Sequence, residues 1–486
     1  MSRPFDEARY KGLLKGLEVA VIKRSQLNAE LRYEAEFFRK RYLQEDSALS
    51  RWYKPTIGEF ASVTDGPHGY HVVDEESPIV MLTAKNAKDW FSNREGADPI
   101  AEWVDTNSKR SSLEAGDVIL STRGTVGMCA LVTKEVLPAN IDQDVARISW
   151  ANREQFLPEF VVAYLNSTYG QDHIARHASG MVQQGMSLQK VREVPLPLFS
   201  PEMQAAIAGA VQTALQQRRD AVRKQNEAEQ ILLRVLGLQN WQPPEPLSYT
   251  CSASQVFAAA RFDAEYFNPA KQLVIDTLSV TPCRPLAERV SSVREMFVPG
   301  SFRSFTEVRN YDLTDALQPV LDETMLPVPI SEIGSSKKLF KNGDVVISRL
   351  RSYLREIAIV RTNDDIPAMG SSEFIVLRPQ MVEGSQLSPG LLWTYLRSQP
   401  VQTILKSCVD GSQHPRFSEV DLLSIPVPDV IDSIGREIDS LIGAAYYARI
   451  RATKMLEASK RAVEIAIEKS EKAALSFLTS IGSDAL

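Results

Sequence analysis

Two arginine-bearing loops carry the side chains of this sequence that are best suited to contact nucleic-acid bases. The first spans residues 123–127 (RGTVG) and the second residues 349–355 (RLRSYLR), and each connects two short apolar segments. Arginine donates paired hydrogen bonds to guanine, and glutamine or asparagine pairs similarly with adenine. Arginine also binds phosphate groups. The chemistry predicted for these loops is therefore non-covalent recognition of DNA.

Other polar loops add candidates of the same kind, at residues 64–70 (TDGPHGY), 179–185 (SGMVQQG), 297–303 (FVPGSFR) and 410–416 (DGSQHPR). The candidate DNA-binding residues of the first half of the chain are His68, Tyr70, Arg123, Thr125, Gln183 and Gln184. Those of the second half are Arg303, Arg349, Arg351, Tyr353, Gln413 and Arg416. The alternative, an ordinary exposed loop side chain, stays open for each of them.

The charge balance of the whole chain does not by itself suggest a DNA-binding protein. The formal net charge is −6, with 55 basic against 61 acidic residues. Binding to phosphates needs only a local basic face, however. Residues 337–361 contain seven basic residues against only Asp344 and Glu356. We expect this segment to form such a face, the alternative being a solvated loop.

Signatures of catalysis, metal binding and cofactor binding are missing. The sequence has no GxxxxGK[ST] phosphate loop, no GxGxxG after a strand and no HExxH zinc motif. The segment closest to an amino-methyltransferase motif is 268–271 (NPAK), which lacks the second proline and the aromatic residue. Its four cysteines form no CxxC pair, which argues against a zinc site or a disulfide scaffold. We expect a non-enzymatic chain with no cofactor and no metal.

Two histidine pairs also need an interpretation. His68 and His71 are three residues apart, and His173 and His177 are four apart, which would place the second pair on one face of a helix. Because no acidic residue accompanies either pair in a metal-site pattern, surface or packing roles are expected.

The chain contains an internal repeat. Residues 32–38, 116–121, 164–167 and 194–197 return in the same order as residues 261–267, 343–348, 395–398 and 425–428. The offset is about 230 residues each time, and small drifts are what loop insertions produce. The chain is therefore predicted to consist of two copies of one structural unit.

Each copy shows the same succession of elements. A short amphipathic helix (32–38 or 261–267) opens it, and a Gly-Asp turn then leads into a strand hairpin (118–120 with 130–132, or 345–347 with 357–360). A helix follows near 158–166 or 389–398, and a Pro-x-Pro exit strand closes the globular part. Alanine-rich helices predicted at about 201–236 and 434–478 come next. A helix of 36 residues is about 54 Å long, so the pair is predicted to be a spacer; two ordinary core helices are the alternative.

The predicted fold class is mixed α/β, with two pseudo-repeated target-recognition domains separated by two long antiparallel helices that form a coiled-coil spacer. We assign residues 1–50 to a helical extension, 51–200 to the first recognition domain and 201–237 to the first spacer helix. Residues 238–282 form the linker and the start of the second repeat, 283–430 the second recognition domain and 431–486 the second spacer helix.

With these motifs in order, the chain resembles the specificity (S) subunits of type I restriction-modification systems from about residue 55 to its C-terminus. The segments that carry the resemblance are 64–70, 79–86, 116–127 and 195–198 with the helix behind it. The resemblance implies two recognition domains that each bind half of a split double-stranded DNA site. It also implies partners: two methyltransferase (M) subunits and the restriction or motor (R) subunits. The second copy departs from the first at 297–303 and 349–352, so the target is expected to be asymmetric.

Three alternatives remain open from the sequence. The chain could be the recognition subunit of a type IIB or other phage-defence methylation complex. It could also be a coiled-coil adaptor that binds proteins, or an enzyme with an unrecognised site. No run of 18 apolar residues and no signal-peptide pattern occurs, so a cytoplasmic protein without a membrane partner is expected.

Overall fold

The computed structural model describes residues 13–22, 24, 27, 34–69, 71–178, 185–244, 246–300, 305–363 and 365–484. Two compact units are present. Unit 1 consists of the described residues up to Gln217 and from Ile450 onward, and unit 2 consists of Arg218–Arg449. Among the described residues, no helix is long and apolar enough to cross a membrane.

Unit 1 is built on a four-stranded antiparallel sheet and a smaller three-stranded sheet. The strands are β1 (Ser62–Asp65), β2 (Val80–Leu82), β3 (Asp98–Pro99), β4 (Val118–Ser121), β5 (Cys129–Leu131), β6 (Ala139–Ile141) and β7 (Val145–Ser149). The larger sheet has the order β1-β7-β4-β5, and the smaller one has the order β3-β2-β6. In the smaller sheet β2 runs parallel to β6 and antiparallel to β3.

Unit 2 has two sheets of five strands. The strands are β8 (Cys283–Pro285), β9 (Val290–Val293), β10 (Met296–Phe297), β11 (Glu307–Tyr311), β12 (Val320–Asp322), β13 (Val328–Pro329), β14 (Lys337–Phe340), β15 (Val345–Ser348), β16 (Ile357–Arg361), β17 (Ala368–Gly370), β18 (Phe374–Pro379), β19 (Met381–Val382), β20 (Ser385–Gln386) and β21 (Pro426–Pro428). The sheet orders are β12-β16-β15-β18-β9 and β10-β14-β17-β11-β13.

The two units share one topology. The order β9-β18-β15-β16 of unit 2 reproduces β1-β7-β4-β5 of unit 1, and all the pairings within both are antiparallel. The triplet β13-β11-β17 likewise reproduces β3-β2-β6, with one parallel and one antiparallel pairing. The repeat predicted from the sequence is thus present as a repeat in three dimensions.

The α-helices follow the predicted order. They are α1 (Lys40–Leu49), α2 (Ile57–Phe60), α3 (Glu102–Asn107), α4 (Pro158–Asn166), α5 (Thr168–His177), α6 (Leu188–Arg192), α7 (Pro201–Val235), α8 (Ala253–Ala259), α9 (Pro269–Leu278), α10 (Leu286–Arg289), α11 (Pro389–Arg397), α12 (Gln399–Cys408), α13 (Glu419–Leu423), α14 (Gly435–Glu468) and α15 (Glu471–Asp484). Proline at the first turn of both α4 and α11 favours helix initiation there.

The central strands are buried on both faces, which explains their continuous apolar runs. In unit 1, Val118 and Leu120 pack toward α4, while Ile119 packs toward the small sheet. In unit 2, Val345 and Ile347 pack toward α11 in the same way, while Val346 packs toward the second sheet. Alternate side chains of one strand therefore enter two different apolar layers.

A buried ion pair fixes the turn that precedes each central strand. In unit 1, the Asp117 carboxylate accepts from the backbone N–H of Glu114 at 2.8 Å and from Arg147 Nε at 2.7 Å. In unit 2, Asp344 accepts from the N–H of Lys341 at 2.8 Å and from Arg378 Nε at 2.7 Å. The Gly-Asp motif is therefore structural, because its carboxylate ties the turn to the neighbouring strand.

The two long helices contribute to both units. Unit 2 contains the second half of α7 and the first half of α14, so the two helices run antiparallel within it. There Ala221 packs with Ala445 and Ala448, and the small side chains let the helix backbones approach closely. The predicted alanine-rich seam and the predicted fold class are thus confirmed.

Chain entry and chain exit are paired in both units. In unit 1, the N–H of Leu196 donates to the carbonyl of Pro55 and that of Leu198 to Tyr53, each at 2.9 Å. In unit 2, the Pro-x-Pro strand β21 pairs antiparallel with β8. The predicted extended exit strand thus lies against the segment by which the chain enters.

The predicted single helix over 434–478 is wrong in one respect, because it is interrupted between α14 and α15. Ser470 begins the new helix: its Oγ accepts from the N–H of Ala473 at 3.3 Å and its carbonyl from the N–H of Ala474 at 3.2 Å. Serine is a preferred residue at this position. The helix α15 packs Ala474 and Leu478 into the core of unit 1.

The opening segment of each repeat is also not an amphipathic α-helix where it is described. It contains short 3-10 turns at Ala35–Phe38 and Glu265–Phe267. In unit 2, Arg261 of this segment donates to the carbonyls of Cys408 and Val409 at 3.0 and 2.8 Å. An arginine thus caps the C-terminal end of α12, where a positive charge is favourable.

Residues 337–361 do not form one basic face as predicted. Because β15 and β16 are antiparallel, Lys341 and Arg361 lie at one end of this hairpin and the loop 349–355 lies at the other. The Arg361 guanidinium is 5.0 Å from the ring centroid of Tyr446 and packs on that ring. Lys341 and Arg361 therefore lie apart from the loop arginines.

Candidate nucleic-acid interface

The loop between β15 and β16 is held in a conformation that is unusual for its residue types. Arg351 and Arg355 have φ of +50° and +51°, and Ser352–Leu354 between them form a 3-10 turn. A positive φ is strained for residues other than glycine. The turn leaves Tyr353 61% exposed at its tip, where an aromatic ring and two arginines are presented together.

The segment 410–416 packs beside this loop. It closes on itself through reciprocal backbone hydrogen bonds of 2.8 Å between Asp410 and Arg416. The N–H of Arg351 donates to the carbonyl of Pro415 at 2.8 Å, and Leu350 forms a bridge with Arg416. The structure therefore gathers five predicted residues on two adjacent loops of unit 2: Arg349, Arg351, Tyr353, Gln413 and Arg416.

Glu373 joins two of these arginines. Arg349 Nε donates to Glu373 Oε2 at 2.8 Å. Arg416 donates through Nε to Oε2 at 3.0 Å and through Nη2 to Oε1 at 2.9 Å. The hydrogen bonds from Arg416, followed by those from Arg349, lower the pKa of Glu373 to about 2. The carboxylate is therefore ionised at neutral pH, and the triad carries one net positive charge.

Unit 1 repeats this arrangement with different residues. Gly124 and Gly127 of the loop between β4 and β5 have φ of +72° and +95°. Arg123 forms a bridge with Gly185, as Leu350 does with Arg416, and Thr125 is exposed. Arg123 Nη1 lies 3.4 Å from Asp144 Oδ1, so a carboxylate again faces a loop arginine.

The Thr-Asp-Gly-Pro-His segment is anchored to the same part of unit 1. Asp65 accepts from Arg110 Nη2 at 3.2 Å and lies 3.3 Å from Nε2 of His68, whose side chain is 61% exposed. The N–H of Gly66 donates to the carbonyl of Asp142 at 3.1 Å. His68 is thus displayed on a loop that Asp65 and Gly66 hold in place.

The turn at Asp142–Asp144 connects the two candidate loops of unit 1. The carbonyl of Asp142 holds Gly66, while the carbonyl of Asp144 accepts from the N–H of Thr122 at 2.8 Å. Burial raises the pKa of Asp142 to about 6. The structure therefore brings His68, Arg123 and Thr125 to loops that share one anchor.

Four predicted site residues lie outside the described residues: Tyr70, Gln183, Gln184 and Arg303. They remain predictions.

Sequence reasoning missed the two carboxylates. Asp144 and Glu373 occupy equivalent positions, since the carbonyl of each accepts from the residue that starts the loop, Thr122 or Arg349. The two residues are separated by the repeat offset of about 230 residues. An acidic residue at both equivalent positions was the signal by which the sequence could have revealed them.

The histidine pair of α5 has a packing role, as expected. His173 is largely buried, and its carbonyl oxygen lies 2.9 Å from Nδ1 of His177. Burial and the neighbouring His177 hold the pKa of His173 well below its usual value. The His177 ring packs edge-on against Phe37 at 5.2 Å between centroids. All four cysteines are free thiols, and among the described residues no group of His, Cys, Asp or Glu could hold a metal ion.

Comparisons with known proteins found similar solved structures. No family model and no curated protein matches the sequence. The S subunit of a type I restriction-modification system from M. genitalium matches 88% of this chain and 96% of its own, with 14% identity and a TM-score of 0.39. The chain resembles type I specificity subunits. The resemblance predicted from the sequence is to the same kind of subunit.

Two further solved structures match most of the chain. The HsdS subunit from Thermoanaerobacter tengcongensis covers 86% of this chain and 97% of its own, with 16% identity and a TM-score of 0.27. A structure that concerns complex assembly and conformational transition of the type I R-M system covers 88% and 97%, with 16% identity and a TM-score of 0.26.

Replacing Arg351 with glycine is expected to stabilise unit 2 by about 1 kcal/mol, because glycine relieves the left-handed backbone conformation. Thermal unfolding of the purified chain measures this change. Glycine already stands at the corresponding place in unit 1, where Gly124→Arg should destabilise. A fall in stability on Arg351→Gly would mean that side-chain contacts of Arg351 outweigh its backbone strain.

The ion pairs of Glu373 predict an acid-dependent part of the stability of unit 2. A carboxylate with a folded-state pKa near 2 stabilises the fold fully above its unfolded pKa of about 4.3, and this contribution is lost as the pH falls toward 2. The difference in free energy of unfolding between the wild type and Glu373→Gln should therefore shrink between pH 5 and pH 2. A difference that stays constant over this range would contradict the assignment.

Proposed function

We propose that this chain is the specificity subunit of a type I restriction-modification complex and directs partner enzymes to a split, asymmetric DNA site. The observation that carries the proposal is the repeated scaffold with unequal loops. Both units hold an arginine-bearing loop at the same place in one topology, and each loop is bridged to a second segment, at Gly185 in unit 1 and at Arg416 in unit 2. The residues on these loops differ between the units, so each unit would bind a different half-site.

Binding would divide between phosphates and bases. Exposed arginines and loop N–H groups supply phosphate contacts, which fix the position on the duplex. Long polar side chains on the same loops reach base edges in the major groove. His68, Arg123 and Thr125 would act in unit 1, together with Tyr70, Gln183 and Gln184. Arg349, Arg351, Tyr353, Gln413, Arg416 and Arg303 would act in unit 2.

The long helices would set the distance between the half-sites. Half-sites contacted from one face of the duplex lie about 34–36 Å apart, or one helical turn. Inserting seven residues into both α7 and α14 adds about 10 Å to each helix. The spacer of the recognised site should then grow by about three base pairs.

Methylation-site mapping measures the spacer of each variant. An insertion into only one of the two helices is the control, because it shifts the alanine seam out of register and should abolish site recognition. An unchanged spacer in the double insertion would refute the role of the helices as a ruler.

The proposed partners follow from the same function. Two methyltransferase subunits would carry out modification, and restriction subunits would join for cleavage. The specificity subunit itself would catalyse neither methylation nor cleavage and would only select the DNA site.

Co-expression with the partner methyltransferase in a methylation-free host tests the proposal. Single-molecule sequencing should detect modified adenines in a split, asymmetric motif, and the motif should vanish when this chain is omitted. A stable complex that marks no site would refute the proposal and favour a protein-binding adaptor. A split motif cut by the same complex on both sides would instead favour a type IIB assembly.

A further inference from the structure

We propose that Arg349 recognises a guanine in the half-site of unit 2 and that Glu373, clamped by Arg416, is the residue that positions Arg349 for this contact. The proposal rests on the proposed function and deepens it. It assigns one base type to one side chain and separates the roles of two neighbouring arginines.

The hydrogen bonds distinguish the two arginines. Every nitrogen of the Arg416 guanidinium donates within the protein: Nε and Nη2 to Glu373, and Nη1 to the carbonyl of His414 at 3.1 Å. Arg349 donates to Glu373 through Nε alone. Among the described residues, no hydrogen bond holds its two terminal amino groups. Arg416 is therefore a clamp, and Arg349 retains a free pair of donors.

The free pair has the shape that guanine requires. Nε is bound to the carboxylate, which leaves Nη1 and Nη2 as a planar pair of donors, and the Arg349 side chain is 45% exposed. Paired donors of this kind match the O6 and N7 acceptors of guanine in the major groove. Because the Glu373 carboxylate fixes the guanidinium plane, less side-chain entropy is lost when the base binds.

The same carboxylate disfavours a phosphate ligand. A phosphate on the Arg349 fork would bring a second anion close to Glu373, which two hydrogen-bonded arginines keep ionised. Like charges at short distance repel, whereas the acceptors of guanine carry no net charge. The triad keeps one net positive charge, so Glu373 weakens a phosphate contact at Arg349 without abolishing it. The uncharged acceptor pair of a base edge is therefore favoured relative to a phosphate.

Unit 1 lacks this clamp, which makes the inference specific to unit 2. Gly185 occupies the bridge position of Arg416, and Arg123 meets Asp144 through a single contact of 3.4 Å. Arg123 is thus held less tightly, and its variants serve as a comparison for the other half-site.

The test uses the complex with the methyltransferase and the split site found by sequencing. Duplexes are prepared in which each guanine in turn is replaced by 7-deazaguanine, which lacks the N7 acceptor. Wild-type binding should weaken about tenfold or more at one guanine of one half-site. In Arg349→Ala and Arg349→Lys, that replacement should no longer matter, because the fork is missing even where the charge is kept.

Glu373→Gln separates positioning from charge. It should keep or raise the affinity for non-specific duplex, since a negative charge is removed, while discrimination at the same guanine falls. Lys341→Ala removes an exposed charge at the other end of the hairpin and should leave discrimination at this guanine unchanged. Arg123→Ala should alter discrimination only in the other half-site. Circular dichroism confirms that each variant is folded.

Three results would overturn the assignment. In the first, no guanine of the half-site responds to removal of N7. In the second and third, Arg349→Ala or Glu373→Gln still discriminates between guanine and 7-deazaguanine as the wild type does. A complex that marks no split site at all would refute the proposed function itself, which is a distinguishable outcome.

Discussion

Replacing Gly66 with alanine should destabilise unit 1 by about 3 kcal/mol or more, enough to lower its population of folded molecules sharply. An added Cβ would lie 1.6 Å from the carbonyl oxygen of Ile141 and 2.9 Å from the carbonyl carbon of Asp142. These are backbone atoms of β6 and the following turn, so no flexible side chain can move away. The segment after β1 would therefore have to move away from the turn at Asp142–Asp144, which anchors the candidate loops.

Thermal or urea unfolding measures the effect, with Gly209→Ala as the matched control. Gly209 lies in α7, and a Cβ there meets nothing within 4 Å. The same chemical change should therefore stabilise the helix by up to about 1 kcal/mol, because alanine has the higher helix propensity. Equal stability of Gly66→Ala and the wild type would show that the turn at Asp142 moves freely.

Removing the carboxylate of Asp344 is the second change with a large expected effect. Asp344→Ala should destabilise unit 2 by about 3 kcal/mol. The substitution strands the guanidinium of Arg378, which makes two hydrogen bonds to Asp344 at 2.7 and 2.9 Å. It also frees the N–H of Lys341 at the turn into β15. Because Arg378 remains a third exposed, water offsets part of the loss.

A double-mutant cycle with Arg378→Ala isolates the pair. The two losses should be non-additive by about 1–3 kcal/mol, as for contacting residues. Arg294→Ala is the control, since it removes a surface ion pair with Glu419 at 3.0 Å, and should cost less than about 1 kcal/mol. Additive losses in the Asp344–Arg378 cycle would mean that the ion pair does not act as a unit.

The repeated scaffold could be predicted from sequence because its signals are local. The Gly-Asp turns, the apolar runs at Val118–Ser121 and Val345–Ser348, and the Pro-x-Pro segments each depend on neighbouring residues. Their constant spacing revealed the repeat before any contact was known. The partners of Asp117 and Asp344 could not be found in this way. Arg147 and Arg378 lie about 30 residues further on, and only the sheet order brings them near.

The candidate site was predictable only in part, for a related reason. Charge and loop composition pointed to Arg349 and Arg416, which the structure places together. The carboxylate between them, Glu373, sits just before another strand and has no local signature. Counting charges along residues 337–361 also grouped Lys341 and Arg361 with the loop, although an antiparallel hairpin sends them to its other end.

The pairing of chain entry with chain exit makes the globular part of each unit an exchangeable cassette. In unit 2, the cassette is bounded by the β8–β21 pair, and in unit 1 by the backbone hydrogen bonds that join Pro55 with Leu196. Because the two ends of each globular part are adjacent, the connecting helices can join it in the same way whatever sequence its loops carry. Under the proposed function, an engineered splice at these two points would transplant one half-site preference together with its domain.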